Sequence, residues 1–581
     1  MLWSRIKMVV HPRTKFFRWT LTPCPSVWRW IVVALLVVSF GWVGGVSAAD
    51  TRGMVSSGHP LATAAGLDVL KSGGNAIDAA VAVGLTLGVV DVCNSGIGGG
   101  CLMLIHLANG KLVAIDGRET APAAATRDMF IRDGRAVPAL SQTGALASGV
   151  PGELAAFEYA AKRFGKKQWR ELVQPAADLA EQGFALQRGY AARLQAEAAD
   201  LAQFEASRAV FFREGRPLRG GEILRQPDLA ATYRAIAEQG SRWFYRGPFA
   251  RAAEQWMRDN GGLLTAADFA KYRCRIREPI ITTYRGYTII SFPPPSSGGV
   301  HVAQMLNILE HFDLKALDEA TRVHVLTEAM KLAFADRAHW LGDPAFARVP
   351  RGLVSKSYAA TLAGRIRLDR ATEVPTHGLP PNWRRDVFKK HTTHFSVADA
   401  DNNWVACTAT VNTSFGSKVV IPGTGVVLNN EMDDFSAQPG VANYFGLVGA
   451  EANAIAPGKR PLSSMSPTLV LRDGQPILSL GAAGGPKIIT AVLLELVCLL
   501  DLGFSPEAAL AAPRFHHQWS PAELMFERQL PEPLQAALIE RGHRLRPLSS
   551  GSVSHLVARS ADGRSFVGAA DPRSGGQATG W

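Results

Sequence analysis

His391-Thr392-Thr393-His394-Phe395-Ser396-Val397 sets Thr393, Phe395 and Val397 in alternation with Thr392, His394 and Ser396. That is the period of a β-strand with one apolar and one polar face. A polar turn follows, Asp399-Ala400-Asp401-Asn402-Asn403, and then a second run from Trp404 to Asn412. On that run Thr408, Thr410 and Asn412 share one face, and Val405, Cys407, Ala409 and Val411 the other. A hairpin centred on Asp401 places Thr410 opposite Thr392, where cross-strand side chains touch. Taken alone, the stretch reads as a half-buried hairpin with ordinary surface threonines.

Its company changes that reading. Downstream lie Leu428-Asn429-Asn430-Glu431-Met432-Asp433-Asp434-Phe435, Arg460-Pro461-Leu462-Ser463-Ser464-Met465-Ser466-Pro467-Thr468 and Gly481-Ala482-Ala483-Gly484-Gly485. Upstream lie Ser95-Gly96-Ile97-Gly98-Gly99-Gly100, Gly117-Arg118-Glu119-Thr120-Ala121-Pro122 and Pro293-Pro294-Pro295-Ser296-Ser297-Gly298-Gly299, and Asp571-Pro572-Arg573 stands near the C-terminus. In this order and spacing, from about Gly53 to the end, the chain resembles the γ-glutamyltranspeptidase family of N-terminal nucleophile hydrolases.

The resemblance implies an α+β fold, a four-layer αββα sandwich built from two chains after autocleavage between His391 and Thr392. Residues 50–391 would form a large subunit and 392–581 a small catalytic one, associated as a heterodimer. A threonine hydroxyl is a weak nucleophile and needs a base beside it. The α-amino group freed by the cut is such a base, with a reference pKa of about 8. Thr392 is thus the implied nucleophile, with Thr410 hydrogen-bonded to it. Gly484 and Gly485 match the oxyanion hole, where backbone N–H groups approach the developing charge; where the family often has Ser-Pro before them, this chain has Ala482-Ala483.

Arg118, Ser463 and Ser464 match the groups that hold the substrate α-carboxylate, a natural partner for a bidentate guanidinium. Asn412, Glu431 and Asp434 match the acceptors of its α-ammonium. Without the resemblance, Arg118 would be a solvated strand-end residue and the carboxylates would serve as helix caps or ion-pair partners. Asp433 reads as structural. Residues 438–446 resemble a lid loop, with Tyr444 or Phe445 as its gate. The implied substrates are glutathione, related γ-glutamyl amides, and acceptor amino acids or peptides. Neither a metal nor an organic cofactor is expected. Two rival enzymes share the scaffold, a glutaryl- or cephalosporin-type acylase and a poly-γ-glutamate-processing enzyme. A rival of another class is a binding protein that no longer processes itself.

The rest of the chain is consistent with a globular enzyme. Of 581 residues 47% are hydrophobic and 19% charged, ordinary for a folded protein. The net charge of +12 owes half its value to Arg5, Lys7, Arg13, Lys15, Arg18 and Arg29, all ahead of Asp50. No basic run with interleaved aromatics follows, which argues against nucleic-acid binding. That basic segment leads into an apolar run from Ile31 to Val38 and a small-residue Val46-Ser47-Ala48-Ala49, the layout of a secretory signal over residues 1–49. The chain is therefore expected to be exported to a periplasm, or else held by an uncleaved anchor through residues 28–49. Six scattered cysteines lack Cys-x-x-Cys spacing, so neither a disulfide framework nor a zinc site is indicated. Gly96-x-Gly98 lacks the βαβ context of a dinucleotide site.

Local patterns predict a helix from Pro60 to Lys71 and a second one capped by Asn75. They predict strands over Leu102–Ile105, 112–120 ending in Arg118, and Tyr284–Phe292, then a helix over Val323–Ala338. Residues 365–391 read as a mobile linker ahead of the cut.

Overall fold

The computed structural model describes residues 51–388, 396–527, 530–548 and 551–581. The proposed cleavage pair, His391 and Thr392, and the leader segment lie outside the described residues. No described helix is long and apolar enough to cross a membrane.

The chain opens with strand β1 (Gly53–Ser57) and helices α1 (Pro60–Lys71) and α2 (Ala76–Val90). His59 caps α1 by accepting the Leu61 N–H on Nδ1, and Pro60 fills the first helical position, where no N–H is needed. Asn75 and Asp78 form a reciprocal capping box at α2, satisfying two otherwise orphaned donors. α1 begins and ends where the sequence predicts and α2 starts at its expected cap, because these signals are local; α2 runs on to Val90.

Strands β2 (Gly100–His106), β3 (Leu112–Gly117) and β4 (Arg275–Arg277) precede position 391, while β7 (Val397–Asp399), β8 (Trp404–Thr410) and β13 (Gln577–Gly580) follow it. With β1 they make an antiparallel seven-stranded sheet ordered β4-β3-β2-β8-β7-β1-β13. A six-stranded sheet runs β5 (Ile280–Tyr284), β6 (Tyr287–Ser291), β9 (Thr468–Arg472), β10 (Gln475–Ala483), β11 (Val553–Arg559) and β12 (Phe566–Ala570). Segments from both sides of position 391 therefore build both sheets.

Side-chain alternation then fixes four layers. Cys101, Met103 and Ile105 of β2, with Val405 and Cys407 of β8, join one core with α2 and α3 (Glu153–Phe164). Leu102 and Leu104, with Trp404 and Ala406, join a second core with Leu469, Leu480 and Leu556 of the other sheet. Helices α5 (Gly298–Leu309) and α7 (Lys487–Leu496) cover that sheet's far side. The order helix, sheet, sheet, helix is the αββα sandwich.

The hairpin register is the one expected: Val397 pairs with Val405 and Ala398 with Trp404. Asp399 holds the turn, its carboxylate accepting from the Asn403 N–H at 2.9 Å and from the Ala76 N–H of α2 at 2.8 Å. One carboxylate thus closes the hairpin and caps a helix. Of the expected strand 391–397, pairing is described only from Val397.

Two expectations need correction. Tyr284–Phe292 is not one strand but parts of two, β5 and β6, joined at Arg285 (φ 52) and Gly286 (φ 84). Such a two-residue turn usually carries Asn-Gly or Asp-Gly; here Asp501 secures Arg285 at 2.9 Å. The strand expected to end in Arg118 stops at Gly117, because the Asp116 carboxylate takes the Arg118 N–H at 2.8 Å.

Candidate active site

A cavity of about 1240 Å³ gathers residues that the sequence scatters over more than 350 positions, from Arg118 to Gly485. Even-numbered residues of β7 and β8 face the space between the sheets, and Thr408 and Thr410 carry that face into the cavity. Ser396, the first described residue after 395, is fixed there by the Ser479 hydroxyl of β10 at 2.8 Å. Thr410 Oγ1 accepts the Asn412 N–H at 2.8 Å. With that lone pair occupied, its own O–H is free to donate elsewhere. Asn412 sits at φ 79 and donates its Nδ2 to the Asn430 carbonyl at 3.0 Å, which leaves Oδ1 as the free end of the amide.

Gly484 and Gly485 form the turn between β10 and α7, at φ 140 and 61. Left-handed backbone of this kind favours glycine. Neither N–H donates to another described residue, and both lie just ahead of a helix start, where the backbone dipole favours negative charge. A Cβ on Gly485 would stand 2.6 Å from the Phe445 ring. Gly485→Ala should therefore strain the turn and displace Phe445 together. We expect kcat/KM to fall at least about tenfold, with little change in melting temperature; kinetics and a thermal melt check both.

Arg118, almost fully buried, also lines the cavity. Its Nη1 lies 2.5 Å from Glu431 and 3.5 Å from Glu119, its Nη2 lies 2.5 Å from Asp434, and its Nε donates to the Pro461 carbonyl. Burial opposes the guanidinium charge, but the three carboxylates outweigh it and raise the Arg118 pKa above the ordinary arginine value. Burial likewise pushes Glu431 well above the usual carboxylate range and raises Asp434, with Arg118 opposing both shifts. Glu119 is raised to about 7 by burial. The cation and the acids assigned separately in the sequence are thus direct neighbours in one cluster.

Ser463 Oγ accepts the Met465 N–H at 3.1 Å, and Ser464 Oγ accepts from Arg337 Nη2 at 3.1 Å. The lid-like loop crosses the glycine turn through Phe445, which is half-buried, whereas Tyr444 is 52% exposed. Asp433, read from sequence as structural, anchors this loop by accepting the Tyr444 N–H at 3.0 Å. The Asn443 side chain accepts the Phe445 and Leu447 N–H groups, and Gln518 Nε2 donates to the Phe445 and Gly446 carbonyls. Reading the sequence did not single out Gln518, Asn443 or Arg337. Polar residues in a loop or in the last turn of a helix carry no spacing signal.

One described group has a donor set suited to a metal, His324, Glu328 and His543. Its atoms are already engaged: His324 Nδ1 with His543 Nε2, and Glu328 with the Lys331 ammonium and the Thr372 N–H. None of the three lines the cavity. His516 and His517 are both buried and bonded to different partners, Thr490 and the Trp519 N–H. Cys93 and Cys101 are buried, free thiols.

The γ-glutamyltranspeptidase family model matches residues 62–581. The chain is 45% identical over 528 residues to the glutathione hydrolase proenzyme of Escherichia coli, covering 90% of each. Among solved structures it is similar to a cephalosporin acylase from Bacillus halodurans, with TM-score 0.82, 30% identity, and 93% and 99% of the two chains covered. It is also similar to the Helicobacter pylori γ-glutamyltranspeptidase, with TM-score 0.55, 42% identity, and 56% and 94% covered.

Proposed function

The chain belongs to the γ-glutamyltranspeptidase family, and from that premise we propose that it is an autoprocessed γ-glutamyltransferase and glutathione hydrolase with Thr392 as its nucleophile. In processing, Thr392 Oγ attacks the His391 carbonyl carbon. The peptide C–N bond breaks as an ester forms, and water cleaves the ester to leave a His391 carboxylate and a free Thr392 amine. In turnover that amine takes the Oγ proton while Oγ attacks the γ-carbonyl. The oxyanion falls to the Gly484 and Gly485 N–H groups, and the proton passes to the departing amine. Water or an acceptor amine then releases the γ-glutamyl group from the threonine.

The observation that carries the substrate assignment is the contact of Arg118 with Glu431 and Asp434 in one cavity. A cation beside carboxylates complements an α-amino acid head group, whose own charges can exchange with the pair. Arg118, Ser463 and Ser464 would take the carboxylate; Asp434, Glu431 and Asn412 would take the ammonium. Support for Thr392 comes from the order of the motifs around it and from Thr410, which the described hairpin strand carries into the cavity. Phe445 is the gate in this reading, and Tyr444 its outer flank. Residues 50–391 and 392–581 are the two subunits. Because their strands interleave in both sheets, they stay associated after the cut. The basic and apolar leader supports export.

Purified protein should release the amine from a γ-glutamyl anilide and, with a dipeptide acceptor added, form the transfer product. A processed protein that releases nothing would refute the assignment. The cephalosporin acylase likeness favours a second reading, an acylase that takes a glutaryl group; the two are separated in the Discussion.

A further inference from the structure

Arg337, near the end of α6 (Glu319–Trp340), is 5% exposed and makes no ion pair with any described residue. A buried guanidinium without a counter-charge is costly, so what it touches matters. Its Nε donates to Ser297 Oγ at 2.9 Å, and its Nη2 donates to Ser464 Oγ at 3.1 Å. Ser297 in turn donates both its hydroxyl, at 2.7 Å, and its N–H, at 2.8 Å, to the Ser463 carbonyl. The guanidinium therefore stands directly behind the Ser463-Ser464 pair, and both serines line the cavity.

The direction of these bonds sets what the serines can offer. A hydroxyl has one proton to give. Ser464 Oγ accepts from Arg337 and Ser463 Oγ accepts from the Met465 N–H, so both are arranged to donate toward the cavity. The charges point the same way. Arg118 faces three acids, Glu119, Glu431 and Asp434, which share its charge and weaken its attraction for a further anion. Arg337 is the cation behind the serine wall whose charge is not spent on an ion pair. Burial brings its pKa down to about 10, with Asp434 acting against the shift, so it remains charged at neutral pH.

We propose that Arg337 is a positioning residue for the substrate α-carboxylate, holding Ser463 and Ser464 as donors and adding positive charge to that of Arg118, which it shares with its acidic neighbours. This rests on the reading that these serines and Arg118 take the α-carboxylate.

The test compares a γ-glutamyl anilide with the 4-aminobutyryl anilide, which keeps the amine and the scissile amide but lacks the carboxylate. In the processed protein, Arg337→Gln should lower kcat/KM for the γ-glutamyl substrate about 10- to 100-fold, mainly through KM, as expected for losing a charged hydrogen-bond donor. With the 4-aminobutyryl substrate the change should stay within about threefold, and Arg337→Lys should recover part of the loss. Equal losses on both substrates would overturn the proposal and assign Arg337 to the fold. Should Arg337→Gln not fold, the pair Arg337→Lys and Ser464→Ala decides. If Arg337 acts through Ser464, the double variant loses little beyond Ser464→Ala alone; full multiplication of the two losses overturns the idea. A wild type that uses both substrates equally would instead refute the α-carboxylate subsite itself.

Discussion

Thr392→Ala should leave the protein as a single uncut chain and lower γ-glutamyl turnover more than about 10³-fold. One residue supplies both the oxygen that cuts the His391 peptide bond and the oxygen that carries the acyl group, so both losses come together. The base is lost too, because the α-amino group stays locked in an amide that has no basic lone pair. Thr392→Ser keeps the oxygen and lacks only the methyl group, and it should still process, more slowly. Gel analysis and turnover of a γ-glutamyl anilide on the three proteins check this. An alanine variant that splits into two chains would move the nucleophile elsewhere. The surrounding fold should tolerate the change, since Ser479 and Asp399 fix the neighbouring strand from outside residue 392.

The second large effect separates the two enzyme readings. A glutaryl group has nearly the shape of a γ-glutamyl group but no α-ammonium. Bringing it beside Glu431 and Asp434 desolvates two carboxylates and offers them no new cation. The carboxylate of either substrate also draws on Arg118, which then leaves its acidic neighbours less well compensated. Sites built around a polar partner reject analogues that lack it by about 10⁴-fold. The unmutated protein should therefore prefer γ-glutamyl over glutaryl anilide by at least about 10²-fold in kcat/KM. Asp434→Asn removes the carboxylate 2.5 Å from Arg118 Nη2. Losing a charged hydrogen-bond partner for the substrate ammonium costs about 1.5–3 kcal/mol, so γ-glutamyl turnover should drop at least about tenfold. Glutaryl turnover should drop less, and the preference narrow. Equal use of the two anilides by the unmutated protein would favour the acylase reading.

What could be read from the sequence follows the range of the forces involved. The caps at His59 and Asn75 and the hairpin centre at Asp401 act within a few residues, and each was legible. The Arg285-Gly286 turn was not, because Arg285 lacks the side chain that announces a tight hairpin and depends on Asp501, 216 positions away. The motifs carrying Arg118, Glu431, Asp434 and the glycine pair were recognisable through the family resemblance. That Arg118 binds both acids directly was not legible, since 316 positions separate it from Asp434. Arg337 was the least visible. An arginine within a helix reads as a solvated one, but α6 runs buried through most of its length, and only the fold brings its guanidinium behind Ser464. Asp433 shows the reverse case: structural as expected, yet holding the loop whose Phe445 covers Gly485.

The central claim is that Thr392 becomes an N-terminal residue and then carries the γ-glutamyl group. Intact-mass spectrometry of the purified protein, acid-quenched during turnover of a γ-glutamyl amide, tests both halves at once. Two chains are predicted, the smaller beginning at Thr392, with a fraction of it heavier by one γ-glutamyl group that fragmentation places on that residue. A fully active single chain, or an acyl group on any other residue, would contradict it.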